Sequence, residues 1–205
     1  MIDITVLAVF IPTFFFVSIT PGMCMTLAMT LGMSIGVRRT LWMMLGELLG
    51  VASVAVAAVL GVASIMLNYP EAFAILKWVG GAYLIYIGIN MWRSKGKMSV
   101  NTSNATAVSR QSLFTQGFVT AIANPKGWAF MISLLPPFIS IEHDVAPQLL
   151  VLLSVIMVTE FLSMLAYATG GKSLRLFLTR GNNIQWMNRI AGSLMVAVGV
   201  WLALG

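Results

Sequence analysis

The chain has 205 residues, of which 59% are hydrophobic and 9% are charged, and its mean hydropathy is +0.93. Soluble domains carry roughly 25% charged residues, so this chain has too few charges to cover the surface of a soluble fold. A single cysteine and a single histidine exclude an internal disulfide, a Cys-x-x-Cys redox pair and a histidine-rich metal site. The composition predicts an all-helical integral membrane protein that carries no cofactor.

Six apolar segments are long enough to cross a bilayer, which takes about 20 residues of helix. In chain order they cover residues 4–37, 41–67, 73–92, 112–141, 145–170 and 186–204. The first lacks the basic start of a cleaved signal peptide and is too long for one, so we expect it to remain as a span. A polar segment at 94–111 then predicts a loop between two three-helix halves, 1–93 and 112–205.

The basic residues predict how these spans are oriented. Nine of them fall in the three alternate loops of one side: Arg38, Arg39, Arg93, Lys95, Lys97, Arg110, Lys172, Arg175 and Arg180. The short loops of the other side contain no Lys or Arg. Because basic loops stay in the cytoplasm, we expect a multi-pass membrane protein with both termini outside. The net charge of +6 then reflects topology and predicts no nucleic-acid partner.

The first and fourth spans each contain a proline next to small or polar residues. One reads Thr20-Pro21-Gly22 and the other Asn124-Pro125-Lys126, so that an offset of 104 aligns the two prolines. Thirty-four residues of straight helix, the length of the first span, would extend about 51 Å and overshoot the bilayer. Proline also removes a hydrogen-bonding amide. These patterns predict that the first and fourth helices are broken at Pro21 and Pro125.

The third and sixth spans share a glycine spacing. An offset of 111 aligns Gly81 with Gly192 and Gly88 with Gly199. Since three spans are an odd number, two successive halves enter the membrane from opposite sides, which predicts six transmembrane helices arranged as two inverted repeats. In such folds the broken helices meet near the midplane and form the substrate site. The glycine faces pack either within the chain or between copies, so the sequence does not decide whether the protein forms a homo-oligomer.

Three ionisable residues lie inside predicted spans, namely Glu47, Lys126 and Glu160. Each charge at the bilayer centre costs about 2.5–3.5 kcal/mol, so these side chains must face the bundle interior, water or one another. Glu160, the deepest, is a candidate proton carrier or partner for a substrate ammonium. Lys126 either neutralises Glu160 or binds a substrate carboxylate. Glu47 either belongs to the same site or pairs with Arg38 or Arg39 near the cytoplasmic edge.

Four short motifs occur in a characteristic order. They are Thr20-Pro21-Gly22, Leu31-Gly32 with Gly36, Gly81-Ala82-Tyr83-Leu84 with Gly88, and Asn124-Pro125-Lys126. In this order they resemble the LysE/RhtB family of bacterial amino-acid exporters. That family usually continues its first motif as Pro-Gly-Pro, whereas Met23 takes the third place here.

The resemblance implies export of amino acids or close derivatives across the bacterial inner membrane, coupled to a proton or another ion. It also implies a broken-helix centre formed by Thr20, Pro21, Gly22, Asn124, Pro125 and Lys126. Glu47 and Glu160 join these candidate transport residues because of their charge alone.

Other classes of protein fit the sequence less well. A membrane redox protein that exchanges thiols needs two cysteines, and an enzyme needs a nucleophile–base or metal-ligand constellation that the sequence does not offer. Met23, Met25, Met29 and Met33 resemble a ladder of soft-metal ligands together with Cys24. Because methionine is also the adaptable filler of apolar interiors, these residues do not favour a metal site. We predict a secondary transporter rather than an enzyme. A channel or metal-ion exporter is the alternative.

Overall fold

A computed structural model describes residues 4–68, 70–94, 108–140, 143–180 and 182–204. Every regular element in these ranges is helical, which confirms the predicted all-helical class. The helices are α1 (Ile4–Ile19), α2 (Met23–Ile35), α3 (Val37–Asn68), α4 (Pro70–Arg93), α5 (Arg110–Ile122), α6 (Pro125–Leu134), α7 (Val145–Thr179) and α8 (Asn183–Leu204), with a 3-10 turn at Pro136–Phe138. Most of the predicted loop 94–111 lies outside the described residues.

The first and fourth predicted spans are both interrupted at their prolines. Helix α1 ends before Pro21 and α2 begins after Gly22, and the two axes are bent by 54°. Helix α5 ends at Ile122, and Pro125 is the first residue of α6, where its missing amide costs no helical hydrogen bond. The predicted helix breaks are therefore confirmed.

Length and composition identify several helices that can cross a membrane. In the described part of the chain, Val37–Gly61 and Val145–Thr179 meet these criteria as single helices, and the bent pair α1–α2 meets them as a third span. The arrangement of six spans in two repeats stays a prediction.

The helices continue into segments that the basic residues had marked as loops. Helix α3 begins at Val37 and so includes Arg38 and Arg39, and α7 continues to Thr179 instead of ending at 170. Gly171 interrupts α7 with a φ of 42° and a ψ of −123°, after which the helix resumes. The predicted boundaries were wrong there because Lys and Arg are good helix formers and can end a span without ending its helix.

Glycines bring α4 and α8 into backbone contact. A Cβ on Gly81 would lie 2.7 Å from the carbonyl oxygen of Gly199, and a Cβ on Gly88 would lie 2.5 Å from that of Gly192. The contacts are reciprocal. A Cβ on Gly199 would lie 2.7 Å from the carbonyl oxygen of Gly81, and a Cβ on Gly192 would lie 2.5 Å from that of Gly88. The two glycine faces therefore pack antiparallel within one chain rather than between copies.

Two further glycine contacts position the ionisable residues. Gly46 of α3 lies against the carbonyl of Phe114 in α5, where a Cβ would overlap that oxygen. Gly32 of α2 lies in the same way against the carbonyl of Ala168 in α7. The first contact holds the helix that carries Glu47, and the second holds the helix that carries Glu160.

Two apolar cores lie on either side of these helix breaks. One is aromatic and contains Phe10, Phe14, Phe130 and Phe138 with aliphatic residues of α3, α7 and α8. The other is rich in methionine; its members include Met25, Met29, Met43, Met44 and Met164. Met25 and Met29 of the suspected metal ladder thus fill an apolar core, and Met23 is 49% exposed.

Candidate functional site

A cavity with a volume of about 60 Å³ lies where both helix breaks meet α3 and α7. Its polar or ionisable lining residues are Ser18, Thr20, Cys24, Glu47, Asn124, Lys126 and Glu160. Of the sequence-predicted residues, Thr20, Gly22, Glu47, Asn124, Lys126 and Glu160 line it, whereas Pro21 and Pro125 create the adjacent breaks without lining it. Apolar side chains, among them Phe14 and Phe130, form the rest of the wall.

The first break leaves helical carbonyls that other groups satisfy. The carbonyl of Val17 lacks its usual partner because Pro21, four residues later, has no amide hydrogen. The Lys126 ammonium donates to it at 3.3 Å. The Thr20 hydroxyl donates to the carbonyl of Phe16 at 2.6 Å. Lys126 from the second break thus stabilises the first.

Two aromatic residues also donate hydrogen bonds to backbone carbonyls at the helix breaks. The Tyr167 hydroxyl donates to the carbonyl of Ile19 at 2.8 Å, and the Trp128 indole donates to that of Ile122 at 2.8 Å. Sequence reasoning missed both residues. One signal was available, because Tyr167 follows Glu160 by seven positions and so shares its face of α7.

Asn124 connects the two breaks. Its side-chain oxygen accepts a hydrogen bond from the Lys126 amide at 3.1 Å and so caps α6. Its amide nitrogen donates to the Cys24 sulfur at 3.9 Å, on the first turn of α2. The N-terminus of α2 itself has no side-chain cap. The start of α2 therefore keeps positive helix-end character at the cavity.

The two cavity carboxyls have different surroundings. Glu160 lies beside the Ser18 hydroxyl and the Lys126 ammonium, and Ser18 also donates to the Ser163 hydroxyl at 3.2 Å. Glu47 is 1% exposed, lies beside Cys24 and Glu160, and has one oxygen without a hydrogen-bond partner.

The surroundings of Glu47 bear on its predicted pairing with an arginine. Arg39 donates instead to the carbonyl of Val108, and Arg38 is exposed. The structure therefore places Glu47 in the cavity rather than in an ion pair at the membrane edge.

The charges in the cavity do not balance. Two carboxylates and one ammonium sum to −1 when all three are ionised. A buried net charge is unfavourable without a counter-ion, so the cavity favours one additional positive charge, either on a bound molecule or as a proton. It thus has the chemistry to bind a small solute that carries a positively charged group, or a proton in its place.

Comparison with known proteins identifies the family. The family model for LysE type translocators matches residues 15–205. The chain belongs to this family. The predicted resemblance is thereby confirmed, and the class it names is a membrane transporter rather than an enzyme.

Several relatives match this translocator over nearly its full length. A homoserine/homoserine lactone efflux protein of Salmonella typhimurium is 31% identical over 91% of this chain and 90% of its own. A leucine efflux protein of an Enterobacter species is 25% identical over 92% of this chain and 90% of its own. An uncharacterised membrane protein of Vibrio cholerae is 28% identical over 98% of both chains. No solved structure shows a significant match.

Proposed function

We propose that this translocator exports amino acids or close derivatives from the bacterial cytoplasm across the inner membrane, in exchange for protons. The observation that carries the proposal is the cavity between the two helix breaks, which holds charges of both signs. The names of the related efflux proteins support the same direction and substrate class.

The cavity offers partners for both ends of a zwitterion. The uncapped start of α2 and the Lys126 ammonium are donors for a substrate carboxylate. A cavity carboxylate and the backbone carbonyls at the breaks are acceptors for a substrate ammonium. The apolar wall around Phe14 and Phe130 suits an uncharged side chain.

Charge balance explains the coupling to protons. The proton and the substrate ammonium are both attracted by the uncompensated negative charge of the cavity, so the binding of one weakens the binding of the other. Alternate binding of the two gives exchange. In our proposal Glu160 takes this proton from outside, which weakens the binding of the substrate ammonium and releases the substrate there.

Alternating access requires two bundles that rock against each other. The reciprocal glycine contacts between α4 and α8 support this arrangement, because a two-fold axis between these helices would pair Gly81 with Gly199 and Gly88 with Gly192. With repeats at 1–93 and 112–205, the helix breaks at Pro21 and Pro125 then form the moving gate. The basic loops face the cytoplasm in this orientation.

Inside-out membrane vesicles test the proposal, because export then appears as uptake. We expect vesicles with an acidic interior to accumulate labelled leucine or homoserine when they contain the wild type. Glu160→Gln abolishes the pH-driven accumulation but retains exchange of labelled for unlabelled substrate. Glu71→Gln, at an exposed position of α4, serves as the control.

Each outcome of the vesicle experiment has a defined meaning. Unaltered pH-driven uptake in Glu160→Gln removes Glu160 from the coupling mechanism. If the wild type accumulates no amino acid from a complete labelled set, the export function is wrong.

A further inference from the structure

Among the buried side-chain oxygen and nitrogen atoms that the structure describes in the cavity lining, one oxygen of Glu47 is without a hydrogen-bond partner. Glu47 Oε2 is buried and accepts no hydrogen bond, and its residue is 1% exposed. A buried carboxylate oxygen without a partner is strongly unfavourable. Since Glu47 lines the cavity, its carboxyl lies next to any ligand bound in that space. The missing partner therefore points to a bound donor.

The donor that fits Glu47 carries a positive charge. The charged group that interacts with Glu47 is another carboxyl, that of Glu160. Glu160, in contrast, interacts with the Lys126 ammonium. Lys126 in turn donates to the carbonyl of Val17. The negative charge of the cavity is therefore least compensated at Glu47.

We propose that Glu47 is the group that binds the ammonium of the substrate, while Glu160, beside Ser18 and Lys126, exchanges the proton. This assignment rests on the export function proposed above and deepens it. The substrate then lies with its ammonium toward α3 and its carboxylate toward the start of α2 and Lys126. A positively charged amino group on the substrate is consequently required.

Cys24 provides a direct probe of this assignment. It is the chain's one cysteine, it lines the same cavity, and its thiol lies beside the Glu47 carboxyl. Alkyl methanethiosulfonates convert a thiol to a mixed disulfide; the thiol sulfur displaces methanesulfinate and its proton passes to solvent. The reaction rates of the cationic 2-aminoethyl reagent and the neutral methyl reagent are measured in membranes. Cys24→Ser supplies the background.

We expect wild-type Cys24 to prefer the aminoethyl reagent over the methyl reagent, because its ammonium mimics that of the substrate. A charge next to the reaction site changes such a ratio by about tenfold or more. Glu47→Gln abolishes the preference, whereas the matched variant Glu160→Gln retains it. The neutral reagent corrects for changes in access, since Cys24 is buried in this conformation.

Three results would overturn the assignment. They are an unchanged preference in Glu47→Gln, the loss of the preference in Glu160→Gln, and a Cys24 that reacts with neither reagent until the protein is denatured.

The labelling experiment is independent of transport. If the reagent preference depends on Glu47 but the protein exports no amino acid, the proposed function is wrong and the Glu47 assignment is not affected. Export without any charge preference at Cys24 contradicts the Glu47 assignment alone.

Discussion

At the level of single residues, the site is organised by the hydrogen bonds that proline removes. Pro21 leaves the carbonyl of Val17 without a helical partner, and the Lys126 ammonium takes that place. The same ammonium lies near Glu160 and compensates part of its charge. Lys126 therefore has a structural role and an electrostatic role, and the two can be separated by mutation.

Lys126→Met is expected to destabilise the protein by about 1–3 kcal/mol, because a buried carbonyl loses its donor. Thermal unfolding in detergent measures the change. Adding Pro21→Ala restores an amide four residues after Val17, so the double variant recovers stability. It does not recover transport, because the cavity still lacks its cation. If Pro21→Ala and Lys126→Met destabilise additively, the proposed bond between the two breaks is wrong.

Tyr167→Phe removes one hydroxyl from a side chain that is 1% exposed and leaves its packing intact. We expect the free energy of unfolding to fall by about 1–3 kcal/mol, because the carbonyl of Ile19 loses the hydroxyl that donates to it. Tyr86→Phe is the matched control, because Tyr86 is 60% exposed. Equal unfolding temperatures for both variants would show that the bond to Ile19 contributes nothing.

At the level of helices, glycine decides which elements touch. Close approach of α4 to α8, of α3 to α5 and of α2 to α7 each depends on a glycine whose Cβ would collide with a facing carbonyl. These contacts hold the helices that carry Glu47 and Glu160 so that both residues line one cavity. Helix packing in lipid relies on such small residues, because the surrounding lipid provides no hydrophobic drive for helices to associate.

Gly88→Ala tests the α4–α8 contact, where the new Cβ would lie 2.5 Å from the carbonyl oxygen of Gly192. Overpacking of this kind costs about 1–3 kcal/mol, and we expect a lower unfolding temperature and reduced transport. Gly61→Ala is the control, since nothing lies within 4 Å of its Cβ position. There the higher helix propensity of alanine predicts equal or greater stability. Similar losses in both variants would contradict a specific α4–α8 contact.

At the level of the whole molecule, the direction of transport depends on orientation. The three basic loops predict that the cytoplasm lies on their side of the membrane. Because α3 and α7 continue through several of these basic residues, the positive charges lie partly on helix ends rather than on flexible loops. A helix end at the membrane surface carries the same orientation signal.

Fusions to alkaline phosphatase measure this orientation, because the enzyme forms its disulfides only in the periplasm. We expect high activity for a fusion after Leu204 and low activity for a fusion after Arg180, at equal amounts of protein on an immunoblot. The opposite ratio would place the termini in the cytoplasm and reverse the assignment of inside and outside.

The sequence was sufficient for features that depend on nearby residues or on composition. The membrane class follows from the scarcity of charge, and the helix breaks follow from Pro21 and Pro125, because a missing amide acts within one helical turn. The position of Lys126 and Glu160 inside apolar segments predicted that both face the interior, since a charge in lipid is too unfavourable. The ordered motifs identified the family.

Partners distant in sequence became visible only in the folded chain. Lys126 bonds to Val17 across 109 positions and Tyr167 to Ile19 across 148, and no local pattern encodes such pairs. Likewise, only the folded chain shows that Glu47 lines the cavity while Arg39 donates to the carbonyl of Val108. Side-chain partners are chosen by packing, which brings together groups that the backbone keeps far apart along the chain.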